Sequence, residues 1–176
     1  MLEGDGLRLR PLAPQDRDGL YAAAADPLVW EQHPARTRHE RAVFDPYFDF
    51  LVAAGGAMAV TEAATGRIIG TSRFYQTPDP ADAWSIGFTF IERAAWGGQV
   101  NFAMKRLMLD HLFADTDEVW FHIAPDNLRS QRGTAKLGAL RDADRTLDLG
   151  TGPALMVCYR LPRDVWQARR GLAPAG

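Results

Sequence analysis

Ile86 to Lys105 reads IGFTFIERAAWGGQVNFAMK, and its reading decides the fold. It opens as a strand, bends through Trp96-Gly97-Gly98-Gln99 and continues as an amphipathic helix. A glycine pair at a strand-to-helix turn lets backbone approach a ligand closely, because glycine lacks Cβ and tolerates positive φ. The helix that follows aims its unpaired N–H groups at the same spot, with the positive end of its dipole behind them. That combination holds anions, phosphate above all. No Lys-Ser or Lys-Thr pair follows Gly98 and the glycine spacing is not GxGxxG, so neither a P-loop nor a dinucleotide fold is indicated.

Upstream, Leu7, Leu9 and Pro11 alternate with arginines in a short half-buried strand. Pro14 to Ala25 reads as a helix stopped by Asp26-Pro27, and Leu28 to Arg36 as a loop. Thr37 and Glu40 form a capping-box pattern for a second helix, with Val43, Phe44, Tyr47, Phe48 and Leu51 on its apolar face. Pro46 predicts a kink or break in it, and Gly55-Gly56 its end. A meander follows: strands over 57–62, 67–76 and 83–91, with TPDPA (Thr77 to Ala81) as a proline-rich loop. Downstream come a helix with Val100, Ala103, Met104, Leu107 and Met108 on one stripe, a strand over 119–124 and a short helix closing at Leu137-Gly138. Strands near 139–147 and 155–161 and a helix over 163–170 finish the chain.

The 176 residues suit one domain spanning 1–176. A net charge of −2 gives no basic excess for nucleic acid or anionic membrane. A lone cysteine, Cys158, excludes an internal disulfide framework and fits a reducing compartment. No segment approaches the roughly 20 apolar residues of a membrane span, and the N-terminus carries charges throughout. The expectation is a soluble, cytoplasmic protein.

Beyond the glycine turn, Ala124 opens APDNLRSQRGTAKLGA. Taken together, Ile86-Gly87-Phe88, Trp96-Gly97-Gly98, Asn127-x-x-Ser130 and Lys136-Leu137-Gly138-Ala139 resemble the GNAT acetyltransferase superfamily, specifically its ribosomal-protein N-acetyltransferase-like (RimJ/RimL-like) branch. The likeness runs from Leu7 to Leu161. It implies an α+β, three-layer fold: a mixed, mostly antiparallel sheet of about seven strands, flanked by helices and splayed between the fourth and fifth. One departure stands out. The family's phosphate loop has the form [QR]-x-x-G-x-[GA], and Gln99 and Asn101 occupy its two glycine positions here. Backbone N–H groups do the phosphate work, so such side chains are tolerated where φ stays negative.

The resemblance further implies acetyl-CoA as the acyl donor, leaving coenzyme A. The backbone of Phe90 and Ile91 would pair with the pantetheine amides, as an added strand does. Gly97, Gly98, Gln99, Val100 and Asn101 would hold the pyrophosphate, and Asn127 the pantetheine arm. Ser130 would lie beside the sulfur and protonate the leaving thiolate; a helix-cap hydroxyl is its plainer use. The acceptor amine, on a protein N-terminus or a small molecule, would attack the thioester directly. Trp30, Arg73, Tyr75 and Trp84 are its candidate contacts, with Arg73 suited to gripping a carboxylate. Ordinary strand packing, or a homodimer contact through Trp84 or Trp120, is the alternative. Glu92 and His122 are weighed as general bases, but each has a blander use, as a solvated strand-end carboxylate and a packed histidine. His111 reads as half-buried on the helix stripe, and Cys158 as core. A non-catalytic acyl-CoA-binding module is the alternative function.

Overall fold

The computed structural model describes residues 1–97 and 99–171. Strands β1 (Leu2–Gly4) and β2 (Leu7–Pro11) form a hairpin turning on Asp5 and Gly6, whose φ angles are 52° and 75°. Asp-Gly is the dipeptide that tolerates two left-handed residues in a row, and it adds a strand ahead of the one expected from Leu7. Helix α1 spans Arg17–Ala24 after one 3₁₀ turn, and α2 spans Arg41–Ala54. The Thr37–Glu40 capping box does not form. Glu40 N–H donates to the Thr37 carbonyl (2.9 Å) in a turn, and Glu40 is itself the N-cap of α2. Nor does Pro46 break the helix: its missing donor would have served only Ala42, in the first turn, while Phe44, Tyr47, Phe48 and Leu51 bury beside it.

The meander is β3 (Ala57–Glu62), β4 (Ile68–Pro78) and β5 (Ala81–Ile91). Thr77 to Ala81 is the tip of one long hairpin rather than a loop. Helix α3 (Val100–Leu112), β6 (Glu118–Ile123) and α4 (Leu128–Lys136) follow. The single strand expected near 139–147 is two, β7 (Leu140–Arg141) and β8 (Arg145–Asp148), which pair with different parts of β9 (Pro153–Pro162). Asp142 separates them, its N–H donating to the Cys158 carbonyl. Helix α5 (Arg163–Arg169) closes the described chain.

The sheet order is β1-β2-β3-β4-β5-β6-β9-β7, with β8 on β9 and every pairing antiparallel except β5/β6. Helices α3 and α5 cover one face through Met104, Met108, Leu109 and Trp166 on Leu9, Val60 and Ile86. The other face receives α1 and α2 through Leu20, Phe44, Phe48 and Leu51, with Trp30 of the 3₁₀ turn Pro27–Trp30 packed among them.

The β5/β6 ladder contains a single registered pair, Ser85 with Trp120. Beyond it the strands diverge. Part of the cause lies on β4: a Cβ on Gly70 would stand 2.2 Å from the Phe90 carbonyl oxygen, so only glycine lets β4 draw the end of β5 so close. A bulge between Thr71 and Arg73 accompanies Phe88 at φ 52°, a left-handed conformation that bulky residues rarely adopt.

Candidate active site

At the mouth of the opening, Gly97 has φ 75°, as the turn requires. Gly98 lies outside the described residues. Gln99 is the N-cap of α3 with φ −81°, and Asn101 sits in the first helical turn, so both glycine replacements keep negative φ and no strain follows from them. Ala103 N–H makes the helix's first bond, to the Gln99 carbonyl (2.8 Å). Among the described residues the N–H groups of Val100, Asn101 and Phe102 have no acceptor within the helix, and they lie at its positive end. The Trp96 indole donates to the Ile91 carbonyl (2.9 Å) and pins the turn to the strand.

Across the opening, Asn127 caps α4, its Oδ1 accepting from Ser130 N–H (3.1 Å). That leaves the Asn127 amide donors for a ligand. The Ser130 hydroxyl is half-buried and, among the described residues, has no hydrogen-bond partner. Arg129 was not foreseen. Its N–H donates to Gln32 Oε1 (2.9 Å), its Nη2 donates to the Val29 carbonyl (2.9 Å), and its guanidinium lies 4.0 Å from the Trp96 ring centre. One side chain thus ties α4 to the loop after α1 and to the glycine turn. The Arg129–Gln32 contact joins residues 97 positions apart, which no local pattern announces.

The β5 edge distinguishes the two expected backbone contacts. Glu92 N–H donates to the Ile69 carbonyl (2.8 Å), so ladder alternation turns the polar groups of Phe90 toward β4 and those of Ile91 toward the opening. The Ile91 carbonyl already accepts from the Trp96 indole, which leaves the Ile91 N–H on that edge, and Phe90 packs its ring into the core.

Three of the four acceptor candidates share one cleft of about 720 Å³, where Arg73, Tyr75 and Trp84 meet His111, Asp115 and Asp148. Trp30 does not join them. At 2% exposure it packs on Tyr47 and Phe90 and donates to the Ala24 carbonyl, as a core residue. Arg73 is also differently employed. Nε and Nη2 donate to the Gly55 and Ala54 carbonyls (2.7 and 3.1 Å) and cap the end of α2, so the fork is not free for a bidentate carboxylate. Trp84 is 38% exposed, whereas Trp120 is buried with Leu147 and Cys158.

Tyr75 OH and His122 Nδ1 share a buried hydrogen bond of 2.8 Å, and His122 stacks on Trp120. Burial, aided by Arg145 and opposed by Asp79, pushes His122 down to about 4; burial also drives the Tyr75 phenol up. His122 Nε2 and Ser85 Oγ are buried without hydrogen-bond partners among the described residues. Glu92 is held by both ends of the Arg67 guanidinium (2.7 Å each). His111 is exposed rather than half-buried, its ring against Phe74. Cys158 is core, and burial raises its thiol. The described residues contain no cluster of ligands for a metal ion, and no helix among them is long and apolar enough to cross a membrane.

Sequence comparison matches residues 6–140 to the acetyltransferase (GNAT) domain, the RimJ/RimL-type family. The chain belongs to the GNAT acetyltransferase family. Members are acyl-CoA-dependent transferases. A GCN5-related N-acetyltransferase from Brucella melitensis superposes with a TM-score of 0.79 at 19% identity, over 96% of this chain and 81% of that one. AAC(6')-Ib in complex with ribostamycin and coenzyme A gives 0.72 at 21% identity, over 96% and 100%. Mycobacterium smegmatis RimJ, in complex with CoA-disulfide, gives 0.61 at 15%, over 90% and 82%. Ras GTPase-activating protein 4 of Mus musculus is 27% identical over 161 residues, which cover 88% of this chain and 16% of that protein. The fold of the solved GNAT proteins is therefore this chain's fold, with nine strands rather than about seven: β1 and the β7/β8 split make the difference.

Proposed function

We propose that this GNAT domain transfers an acetyl group from acetyl-CoA to an amine. The observation that carries the reading is the β5/β6 opening, which has one registered pair at its root, the bare N-terminus of α3 at its mouth and Ser130 on its far wall. Pantetheine would enter as a strand paired with Ile91, its pyrophosphate on the N–H groups of Val100 and Asn101 and its arm beside the Asn127 amide. A neutral amine attacks the thioester carbonyl, forming C–N. The C–S bond then breaks, and the amine's proton reaches the departing thiolate, with Ser130 as the donor beside it. Trp84, Tyr75, Asp115 and Asp148 suit an acceptor that arrives as an ammonium, because two exposed carboxylates and aromatic faces attract cations.

The test is calorimetric titration of acetyl-CoA into the wild type and Asn101→Glu. A carboxylate in the first turn of α3 suits the helix dipole, so the variant keeps its fold, but it repels pyrophosphate. Micromolar binding by the wild type and a loss of about 100-fold or more in the variant is the expected outcome, a coupling of roughly 2.7 kcal/mol. No binding by the wild type at millimolar ligand refutes the reading. Tight binding without turnover on any amine, unchanged in Ser130→Ala, replaces it with the non-catalytic one.

A further inference from the structure

Lys105 lies in the second turn of α3 and is 93% buried, with 7% of its surface exposed. Its Nζ donates to Thr89 Oγ1 on β5 (2.9 Å) and stands 5.7 Å from the ring centre of Phe121 on β6. Thr89 and Phe121 both lie beyond the Ser85–Trp120 pair, on the segments that diverge. The amine therefore sits between the splayed strands, as the floor of the opening. No carboxylate accompanies it among the described residues; Thr89 Oγ1 is its one hydrogen-bond partner there and is itself engaged with Ser72 Oγ (2.7 Å). An ammonium carries three donors, and two of these have no acceptor among the described residues. Leaving a cation so buried and so poorly matched is costly unless something else completes its shell.

We infer that Lys105 is a catalytic residue whose free N–H groups donate to the carbonyl oxygen of the acyl thioester and stabilise the charge that develops there. This rests on the acetyltransferase reading above, because the acyl group must lie in the opening for Nζ to reach it. The free pantetheine thiol of coenzyme A has no such oxygen, so Lys105 distinguishes acylated from free donor. Burial lowers the amine to about 7, which keeps a substantial ammonium fraction at neutral pH, and an oxygen gaining negative charge favours that form further.

The experiment uses acetyl-CoA labelled with ¹³C at the thioester carbonyl, bound to the full chain and observed by infrared difference spectroscopy. In the wild type the carbonyl stretch should fall in frequency on binding; in Lys105→Met it should return to the free value, while coenzyme A itself binds within twofold of wild type. Turnover should fall about 10²–10³-fold, the usual effect of removing one oxyanion donor. Methionine is near-isosteric and apolar, so the variant folds, which a thermal melt verifies; Lys105→Gln, which retains a donor, should recover part of the shift. Equal stretches in wild type and Lys105→Met with coenzyme A bound equally would overturn the assignment while leaving the acetyltransferase reading intact. Failure of the wild type to bind either ligand would remove both.

Discussion

The two faces of the sheet near the β5/β6 opening each hold a cation, Lys105 buried and Arg38 half-buried, and they treat it differently. On the α3 side lies Lys105, held by one hydroxyl over one ring. On the α2 side lies Arg38, 3.7 Å above the Tyr47 ring and 5.1 Å from Trp30, with Nε buried and unpartnered among the described residues. Tyr47 in turn donates to the Phe88 carbonyl at the bulge (3.4 Å). Several other arginines find carboxylates, as Arg10 does with the buried Asp16 and Arg67 with Glu62 and Glu92. Neither cation of the opening has one. The difference is in what each group can do about it: arginine cannot shed its proton and must be spread over aromatic faces, whereas lysine can, and burial brings it to about 7.

The largest expected effect separates the two. Lys105 has a folded pKa below its unfolded value of about 10.4, so between pH 7 and that value the native state binds fewer protons than the unfolded one. Wild-type stability contributed by this group therefore rises with pH across that window, and below pH 7 the full burial penalty applies. Lys105→Met should exceed the wild type by several kcal/mol at pH 6, each pKa unit being worth about 1.4 kcal/mol, and the gap should close toward pH 10. Arg38→Met should cost about 1–2 kcal/mol, the cation–π contribution, with no change across the same window. Urea unfolding at pH 6, 8 and 10 measures both. A Lys105→Met gap independent of pH would erase the contrast between the faces.

A smaller effect belongs to the root of the opening. Tyr75→Phe leaves both nitrogens of His122 buried without a partner, which should cost about 1–3 kcal/mol in the same unfolding measurement. His122 and His33 are both neutral in the fold, at about 4 and about 3, so stability in wild type should also fall as pH drops from about 6.5 toward those values. A Tyr75→Phe variant as stable as wild type would mean that the pair does not help to hold β4 against β6.

What the sequence made legible is what local rules govern. The α3 stripe, the meander and the turn before α3 are each written within a few residues, by period or turn chemistry. The local elements legible in sequence are those whose neighbours in sequence are neighbours in space. Lys105 was hidden because a lysine at a helix position reads as solvent-facing, and only the sheet beneath α3 shows where it points. Arg129 and Gln32 meet across 97 positions of sequence, and the partners of Arg73, the last carbonyls of α2, leave no side-chain signature. Trp30 shows the converse: a tryptophan in a loop suggests a binding surface, but its ring fills the core under α2.

The smallest prediction guards the comparison at its edge. Glu92 ends β5 one residue beyond Ile91, close enough to the mouth of the opening to be weighed as the base that neutralises the acceptor. Its carboxylate accepts from both Nη1 and Nη2 of Arg67, which is itself half-exposed. Both carboxylate oxygens are thus engaged, and the pair is near the surface, where ion pairs contribute under about 1 kcal/mol. Glu92→Gln keeps the shape and one hydrogen bond, so unfolding should shift by less than that and the pH profile of turnover should not move. If instead the acidic limb of the profile shifted, the proton-handling group would lie at the strand end, and neither buried face of the opening would own the chemistry.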